Sequence, residues 1–379
     1  MNSNGAGRAF IGSFTSAGGR GVTVAAVDRE TGELTVLGAT DAVPDPSYLV
    51  LGPGSGSTAL YAVSETETGA AAALDITGAV PQPLGEMRPV EGDGPTHLAI
   101  AGGHLITANY GSGSVTALPV RADGSLGAAA SVLQHEGSGP RTDRQHAPHA
   151  HQVQPDPSGN WVLSVDLGTD SIRICALDPS SGALRLHGET ALRPGTGPRH
   201  LAFHPAGAHA YVLNELEPTV TVCRWDPATG VLEPLAETAV VPDDVVADPE
   251  VVVYPSGVVV SHDGRFLWAA NRGHDSIAVL AEAVRAERPR IEHRSAAVAA
   301  TLQAQLSRGY AVPERLLPAS ISSSGTRGCT RSLRPPTRLQ ADSEPAQLTS
   351  CGAAQERTGR SYRIHDERER RNQLHAPTR

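Results

Sequence analysis

The sequence contains no lysine, so all 31 of its basic residues are arginines, and these are unevenly distributed. Residues 1–284 hold 14 arginines against 31 acidic residues, a balance of −17. Residues 285–379 hold 17 arginines against 9 acidic residues, a balance of +8, and the net charge of the chain is −9. Because one globular domain rarely changes composition so abruptly, we expect two regions that meet near residue 284.

Long apolar runs are also absent. No stretch approaches the roughly 18 consecutive apolar residues that a membrane helix needs. The first eight residues have no charged segment followed by an apolar core and a small-residue cleavage site, so they do not resemble a signal peptide. We therefore expect a cytoplasmic protein without a membrane partner.

Cysteine is scarce, and several chemical motifs are missing. The four cysteines, at positions 175, 223, 329 and 351, form no Cys-x-x-Cys pair, which argues against a zinc site or a disulfide framework. The glycine-rich segment 52–56 is not followed by Lys-Ser/Thr, so it is a turn rather than a phosphate loop. No Gly-x-Ser-x-Gly elbow is present, which leaves a serine mechanism of the α/β-hydrolase type without support.

The chain does contain an internal repeat, marked by a proline where a strand begins. The spacings between these prolines are 49, 53, 50 and 57 residues. The five opening prolines are Pro46, Pro95, Pro148, Pro198 and Pro255. Most openings lead into a glycine-containing turn and a second strand, and four of the second strands end in Asn or Asp, namely Asn109, Asp166, Asn214 and Asn271. A third strand and a short fourth strand follow.

Four antiparallel strands per unit, without intervening helices, predict an all-β protein, a β-propeller over residues 8–284. A β-sandwich is the alternative, but its strands would not match residue by residue. The segments 8–15 and 21–27 resemble the second and third strands of a further blade. Such an offset N-terminus usually closes the ring by pairing with strands from the C-terminal end.

The repeat stops after Val284. Residues 285–379 show no further blade opening, and their arginine-rich composition predicts a disordered tail. A native basic tail of this kind can touch nucleic acid. We favour instead a shifted reading frame near codon 284. Translation of a GC-rich gene in the wrong frame gives a lysine-free sequence rich in Arg, Ala and Pro, as found here. A nucleic-acid partner is therefore not expected.

The repeat also predicts where a site lies. The start of the first strand and the end of the second meet at one mouth of the channel, because these strands are antiparallel. Eight polar residues occupy these places: His149, His151, Arg199, His200, Asn109, Asp166, Glu215 and Arg272. Arginine and histidine there suit a small anion with many oxygen atoms. A single Arg or Glu at a strand end also serves as a backbone ligand or a solvated ion pair.

The pair His149 and His151 also suggests a metal site, since His-x-His can bind zinc or copper. No carboxylate or cysteine nearby completes a ligand set by spacing. We therefore expect neither a metal nor a cofactor.

The motifs Pro148-His-Ala-His151, Gly197-Pro-Arg-His200, Asn214-Glu215 and Asn271-Arg272-Gly, in this order, resemble the lactonase family of seven-bladed propellers. The resemblance covers about residues 8–280. It implies that His151, Arg199, Glu215 and Arg272 are the catalytic residues, and we expect His149, His200, Asn109 and Asp166 to bind substrate. A family member would continue into a seventh blade, which is not found here, so the ring would be open.

The resemblance implies hydrolysis of a sugar lactone, as in a 6-phosphogluconolactonase. In this hypothesis Glu215 or His151 activates water, while Arg199 and Arg272 hold the anionic group and polarise the lactone carbonyl. A carboxymuconate cycloisomerase would use the same residues. A propeller that only binds partners, inactive through loss of its last blade, is the non-enzymatic alternative.

Overall fold

A computed structural model describes residues 7–28, 31–54, 57–242, 252–281 and the backbone of 291–294. Throughout these ranges the secondary structure is β-strand and turn, without a helix. The strands form six antiparallel sheets in chain order. The predicted β-propeller of four-stranded blades is confirmed.

The first two sheets depart from four strands. The first contains β1 (Gly7–Ser13), β2 (Gly21–Val27) and β3 (Leu34–Thr40). The second contains β4 (Leu49–Leu51), β5 (Ala59–Ser64), β6 (Ala70–Asp75), β7 (Gln82–Pro83) and β8 (Arg88–Pro89). Both β7 and β8 pair with β6, so they share the outermost place of that sheet.

The other four sheets have four strands each. The third contains β9 (Pro95–Ala101), β10 (His104–Asn109), β11 (Ser114–Pro119) and β12 (Ser131–Gln134). The fourth contains β13 (Ala150–Pro155), β14 (Trp161–Asp166), β15 (Ser171–Leu177) and β16 (Leu184–Ala191). The fifth contains β17 (Pro198–Phe203), β18 (His209–Asn214), β19 (Thr219–Asp226) and β20 (Val231–Ala239). The sixth contains β21 (Tyr254–Val260), β22 (Phe266–Arg272), β23 (Ser276–Ala281) and β24 (Ile291–Arg294).

Burial follows the position of a strand in its sheet. The second strands are covered on both faces by neighbouring sheets, and every residue of β5 and of β10 is buried. This explains why they read as nearly continuous apolar runs. The outermost strands β16 and β20 are mostly exposed. Between the fourth and fifth sheets, Leu163 and Ile174 pack with Val212 and Trp225.

The innermost strands lie beside one another around the channel: β9 packs on β13, β13 on β17 and β17 on β21. The hairpins that connect the second and third strands share one type of turn. Gly113, Asp170 and Asp275 occupy the same place in three of these hairpins, with φ of 61°, 51° and 51°. Asp tolerates this left-handed region better than most residues. The turn holds the residue after each terminal Asn or Asp at the channel mouth.

The ends of the chain bear on ring closure. Among the described residues, β1 pairs only with β2, so the first sheet has no innermost strand. At the other end, β24 pairs with β23 and completes the sixth sheet beyond residue 284, where the repeat was expected to stop. The rest of the expected tail, residues 285–290 and 295–379, lies outside the described residues, and the domain boundary stays a prediction.

Candidate active site

A recurrent β-bulge directs side chains into the channel mouth. In β13 the register passes from Ala150 to Gln152 and leaves His151 unpaired. In β17 it passes from Pro198 to His200 and leaves Arg199 unpaired. A bulge of this kind re-aims one side chain without disturbing the rest of the strand. His151 and Arg199 therefore occupy the same place in adjacent blades.

Glu215 is the centre of the site. It follows β18 directly, its backbone N–H donates to the Gly197 carbonyl over 2.7 Å, and it is 5% exposed. Its Oε2 accepts hydrogen bonds of 2.8 Å from Arg199 Nε and 2.8 Å from Arg272 Nη2. Its Oε1 accepts one of 2.9 Å from Arg144 Nη2. One buried carboxylate thus contacts three guanidinium groups.

These contacts set the charge of the cluster. Burial alone would raise the pKa of Glu215, but Arg272 and Arg199 outweigh burial and hold this pKa well below its usual range. Glu215 is therefore ionised. Burial, together with the like charge of Arg272, lowers the pKa of Arg199 to about 10, so Arg199 keeps its proton near neutral pH.

Two neutral histidines border the cluster. Burial, then the charge of Arg199, lowers the pKa values of His151 and His200 well below that of a free imidazole. His151 Nε2 lies 3.9 Å from Glu215 Oε2, while its Nδ1 is buried without a hydrogen-bond partner in the described part of the chain. His200 Nε2 lies 3.2 Å from Arg199 Nη1, which donates to it.

His149 is buried and contacts Tyr110. The two rings stack with their centroids 4.4 Å apart, and His149 Nδ1 lies 2.9 Å from the Tyr110 carbonyl oxygen. The Nδ1 atom therefore carries the hydrogen. His149 and His151 thus face different partners. Within the described ranges, no group of three or more His, Cys, Asp or Glu residues could hold a metal ion.

Asn109 and Asp166, expected to bind substrate, are fully buried within their own hairpins. The Asn109 amide donates to the hydroxyl groups of Ser114 and Thr116 over 3.1 and 2.9 Å. Asp166 Oδ1 accepts from the backbone N–H groups of His149, Gly168 and Thr169. These contacts shape the mouth, and neither side chain opens onto it.

Asp166 also contacts two side chains, those of His135 and Arg173. Its Oδ2 lies 2.6 Å from His135 Nδ1 and accepts a hydrogen bond of 2.9 Å from Arg173 Nη1. Burial alone would raise the pKa of Asp166, but the hydrogen bond with His135 and the other contacts lower it. Asp166 is therefore an ionised carboxylate that fixes the start of β13.

Arg144 is the site residue that the sequence did not reveal. It lies between the third and fourth sheets, contacts Glu215, and places Nη2 3.5 Å from the Tyr110 hydroxyl. Its guanidinium also lies 5.7 Å from the centroid of the Tyr254 ring. Burial alone would lower the pKa of Arg144, but Tyr110 and Glu215 raise it above its usual range.

The comparisons with known proteins identify the family of the chain. Residues 8–297 match the family described as "Lactonase, 7-bladed beta-propeller". The chain belongs to this family. It is 34% identical over 277 residues to the 6-phosphogluconolactonase of Bacillus subtilis, a match that covers 71% of this chain and 76% of that protein.

Two solved structures are similar to this lactonase-family chain. The periplasmic gluconolactonase of Pseudomonas aeruginosa has a TM-score of 0.68 and 28% identity, over 76% of this chain and 82% of that one. A protein from Lactobacillus plantarum has the same TM-score of 0.68 and 28% identity, over 77% of this chain and 82% of the other. Among the described residues of the lactonase chain, no helix is long and apolar enough to cross a membrane.

Proposed function

We propose that the protein hydrolyses a sugar δ-lactone, with 6-phosphogluconolactone as the preferred substrate. The observation that carries the proposal is the contact of Glu215 with Arg144, Arg199 and Arg272 at the channel mouth. Three guanidinium groups around one carboxylate leave an excess of positive charge that suits an anionic substrate. The names of the similar proteins from Bacillus subtilis and Pseudomonas aeruginosa support a lactone as the reacting group.

The arginines bind and polarise the substrate. Arg272 is the most accessible, with its side chain 32% exposed, whereas the Arg199 side chain is 16% exposed. Arg272 and Arg144 are placed to hold the phosphate or carboxylate, and Arg199 to stabilise the oxyanion that develops on the lactone carbonyl. Fixed donors aimed at a developing charge lower the barrier without reorganisation.

His151 is the better of the two general bases considered. Glu215 accepts hydrogen bonds from three arginines and has a depressed pKa, so its affinity for a proton is low. His151 is neutral, and its Nε2 lies 3.9 Å from Glu215 Oε2, too far for a hydrogen bond, so this nitrogen can accept one from water. It can take a proton from the attacking water, and the Glu215 carboxylate 3.9 Å away stabilises the imidazolium that forms.

For Asn109 and Asp166, expected from the sequence to bind substrate, we propose supporting roles instead. Asp166 fixes the backbone at His149, two residues before His151. His149 and His200 line the mouth beside the reacting groups, and we propose that they contact the sugar hydroxyl groups. The proposed step uses no metal or cofactor, because His151 itself takes the proton of the attacking water.

The rate of lactone loss tests the function. Purified protein should accelerate the hydrolysis of 6-phosphogluconolactone above the spontaneous rate, and glucono-δ-lactone less strongly because it lacks the anion. Arg272→Ala should abolish most of the acceleration, whereas Arg185→Ala, an exposed arginine on outer strand β16, should retain it. Turnover unchanged in Arg272→Ala would remove this residue from the site.

Assays with other substrates and with protein partners distinguish the alternative functions. Turnover of carboxymuconate in place of both lactones would identify the cycloisomerase. Saturable capture of a protein partner without turnover of any of these compounds would identify a binding scaffold. A cytoplasmic location stays a prediction from the sequence, and cell fractionation tests it, since one similar protein is named as periplasmic.

A further inference from the structure

A cavity in the channel borders the Glu215 cluster at one end, where the ring centroid of His97 lies 5.5 Å from that of His200. Its volume is about 480 Å³, within the range of small-molecule sites. Its walls are mainly apolar and include Phe10, Leu49, Leu51 and Ile100. The polar groups that line it include Arg8 and His97.

The cavity extends along the channel from Tyr48 and His97, near the mouth ends of β4 and β9, toward the opposite end. The innermost strands run away from the mouth, and the cavity is lined by residues at or beyond their far ends, including Pro53 and Pro155. Strand β1 runs the other way. Gly12, near its end, packs on the Pro46 carbonyl at the mouth side, whereas Arg8 begins the strand at the far side.

Arg8 is a cation without a countercharge among the described residues. Its Nη1 donates to the Ile76 carbonyl oxygen over 2.7 Å, and its guanidinium lies 5.2 Å from the Phe10 ring centroid. Its Nη2 is buried and has no hydrogen-bond partner in the described ranges. None of the described residues that line the cavity is acidic. A buried donor on a charged group is costly unless a partner satisfies it.

His97 supplies the second polar group. It is 2% exposed, and neither ring nitrogen has a partner within the described residues. Burial, then the charge of Arg199, lowers the pKa of His97 to about 3, so the ring is neutral. A neutral imidazole offers one donor and one acceptor, which matches a hydroxyl group.

We propose that this cavity binds a small amphipathic carboxylate, with the carboxylate on Arg8, an apolar body against Phe10 and Leu51, and a hydroxyl group toward His97. Arg8 can then satisfy Nη2 with an anion rather than leave it buried and unpaired. The apolar walls exclude a fully hydroxylated sugar acid. The ligand class therefore differs from that of the Glu215 cluster, and the proposal does not depend on lactone hydrolysis.

Calorimetric titration with 4-hydroxyphenylacetate tests the proposal on the full chain. The probe should bind to the wild-type protein. The uncharged, matched 4-hydroxyphenylacetamide should bind at least about tenfold more weakly, as should the acid to Arg8→Gln. Arg185→Gln, the matched surface control, should bind the acid like the wild type. His97→Phe should remove the preference for the hydroxylated acid over phenylacetate.

The variant Arg272→Ala tests whether the probe binds at the Glu215 cluster instead. This variant should keep full affinity for the probe even where lactone turnover is lost. Binding that Arg272→Ala abolishes and Arg8→Gln leaves intact would overturn the proposal, because the acid would then occupy the mouth. Absence of any binding would overturn it as well. If a melting curve shows that Arg8→Gln does not fold, the wild-type protein still tests the proposal. Equal affinity of the wild type for the acid and the amide would then overturn it.

Discussion

His151 Nε2 lies 3.9 Å from Glu215 Oε2, and the two residues come from adjacent blades. His151 occupies a bulge at the start of β13, and Glu215 follows the end of β18. The pair therefore depends on how the fourth and fifth sheets pack. A neutral imidazole beside a fixed carboxylate can accept a proton and be stabilised as it does so.

Replacing Glu215 by Gln should lower both stability and activity. The amide keeps the shape but removes the charge that three arginines share, so their mutual repulsion is no longer offset. We expect the free energy of unfolding to fall by about 2 kcal/mol, since the arginines stay partly solvated. Lactone turnover should fall by about 100-fold. Urea unfolding and initial rates measure the two effects, and turnover equal to that of the wild type would contradict the assigned role.

The pH dependence of turnover should reveal the depressed pKa of His151. Because this pKa lies well below that of a free imidazole, His151 is already the unprotonated base at pH 6 and above. After subtraction of the spontaneous rate, kcat/KM should be level from about pH 6 to 8 and fall only at lower pH. A protonation step near pH 6.5 that disappears in His151→Gln would show that the pKa is not depressed.

Stability should fall with acid because of His97. Its pKa is lowered to about 3 in the folded protein, against about 6.5 in the unfolded chain. The unfolded state therefore binds a proton that the folded state rejects as the pH falls from 6.5 toward 3. Within this window His97 should contribute a slope of about 1.4 kcal/mol per pH unit. Chemical unfolding of His97→Phe between pH 4 and pH 7 should show a shallower loss, and an equal slope would refute the assignment.

Asp166→Asn should act on folding more than on substrate affinity. The carboxylate is buried and pairs with Arg173 and His135, so its neutralisation leaves the buried Arg173 only the half-exposed Glu189, 3.4 Å away, as a countercharge. We expect a loss of about 3 kcal/mol in the free energy of unfolding. The KM for the lactone should change less than twofold at a temperature where the variant stays folded. A large rise in KM with unchanged stability would restore the original prediction that Asp166 binds substrate.

The repeat was sufficient to predict the propeller, and the resemblance of the motifs predicted the family; both predictions are confirmed. It also predicted that Glu215 and Arg272 approach Arg199, because strand ends that align in sequence meet at one mouth. The catalytic roles of these residues stay predictions.

The roles of Asn109 and Asp166 were harder to judge from the alignment. An Asn or Asp recurs at this place because its side chain binds its own hairpin: Asn214 and Asn271 donate to Thr219 and Ser276. Recurrence was the sign of a structural residue. The following position changes from blade to blade, and that variation was the sign of a site.

Arg144 and Arg8 could not be found from the repeat. Arg144 lies in the segment before β13, outside the repeated motifs, and its contact with Glu215 crosses 71 positions of sequence. Arg8 stands at the start of β1, where the alignment shows an ordinary strand residue. Only the three-dimensional packing shows that its Nη2 is buried without a partner in the described ranges.

The bulge at the start of the innermost strands allows the side chains at the channel mouth to change without a change in the fold. The backbone geometry recurs in several blades, while the side chain it presents differs: Thr96 in β9, His151 in β13, Arg199 in β17 and, in the corresponding irregularity of β21, Ser256. At these positions the side chain differs from blade to blade while the backbone geometry stays the same. Exchange of Thr96 or Ser256 for a charged residue would alter the selectivity of the mouth while the packed sheets stay as they are, so new substrates could evolve without a new fold.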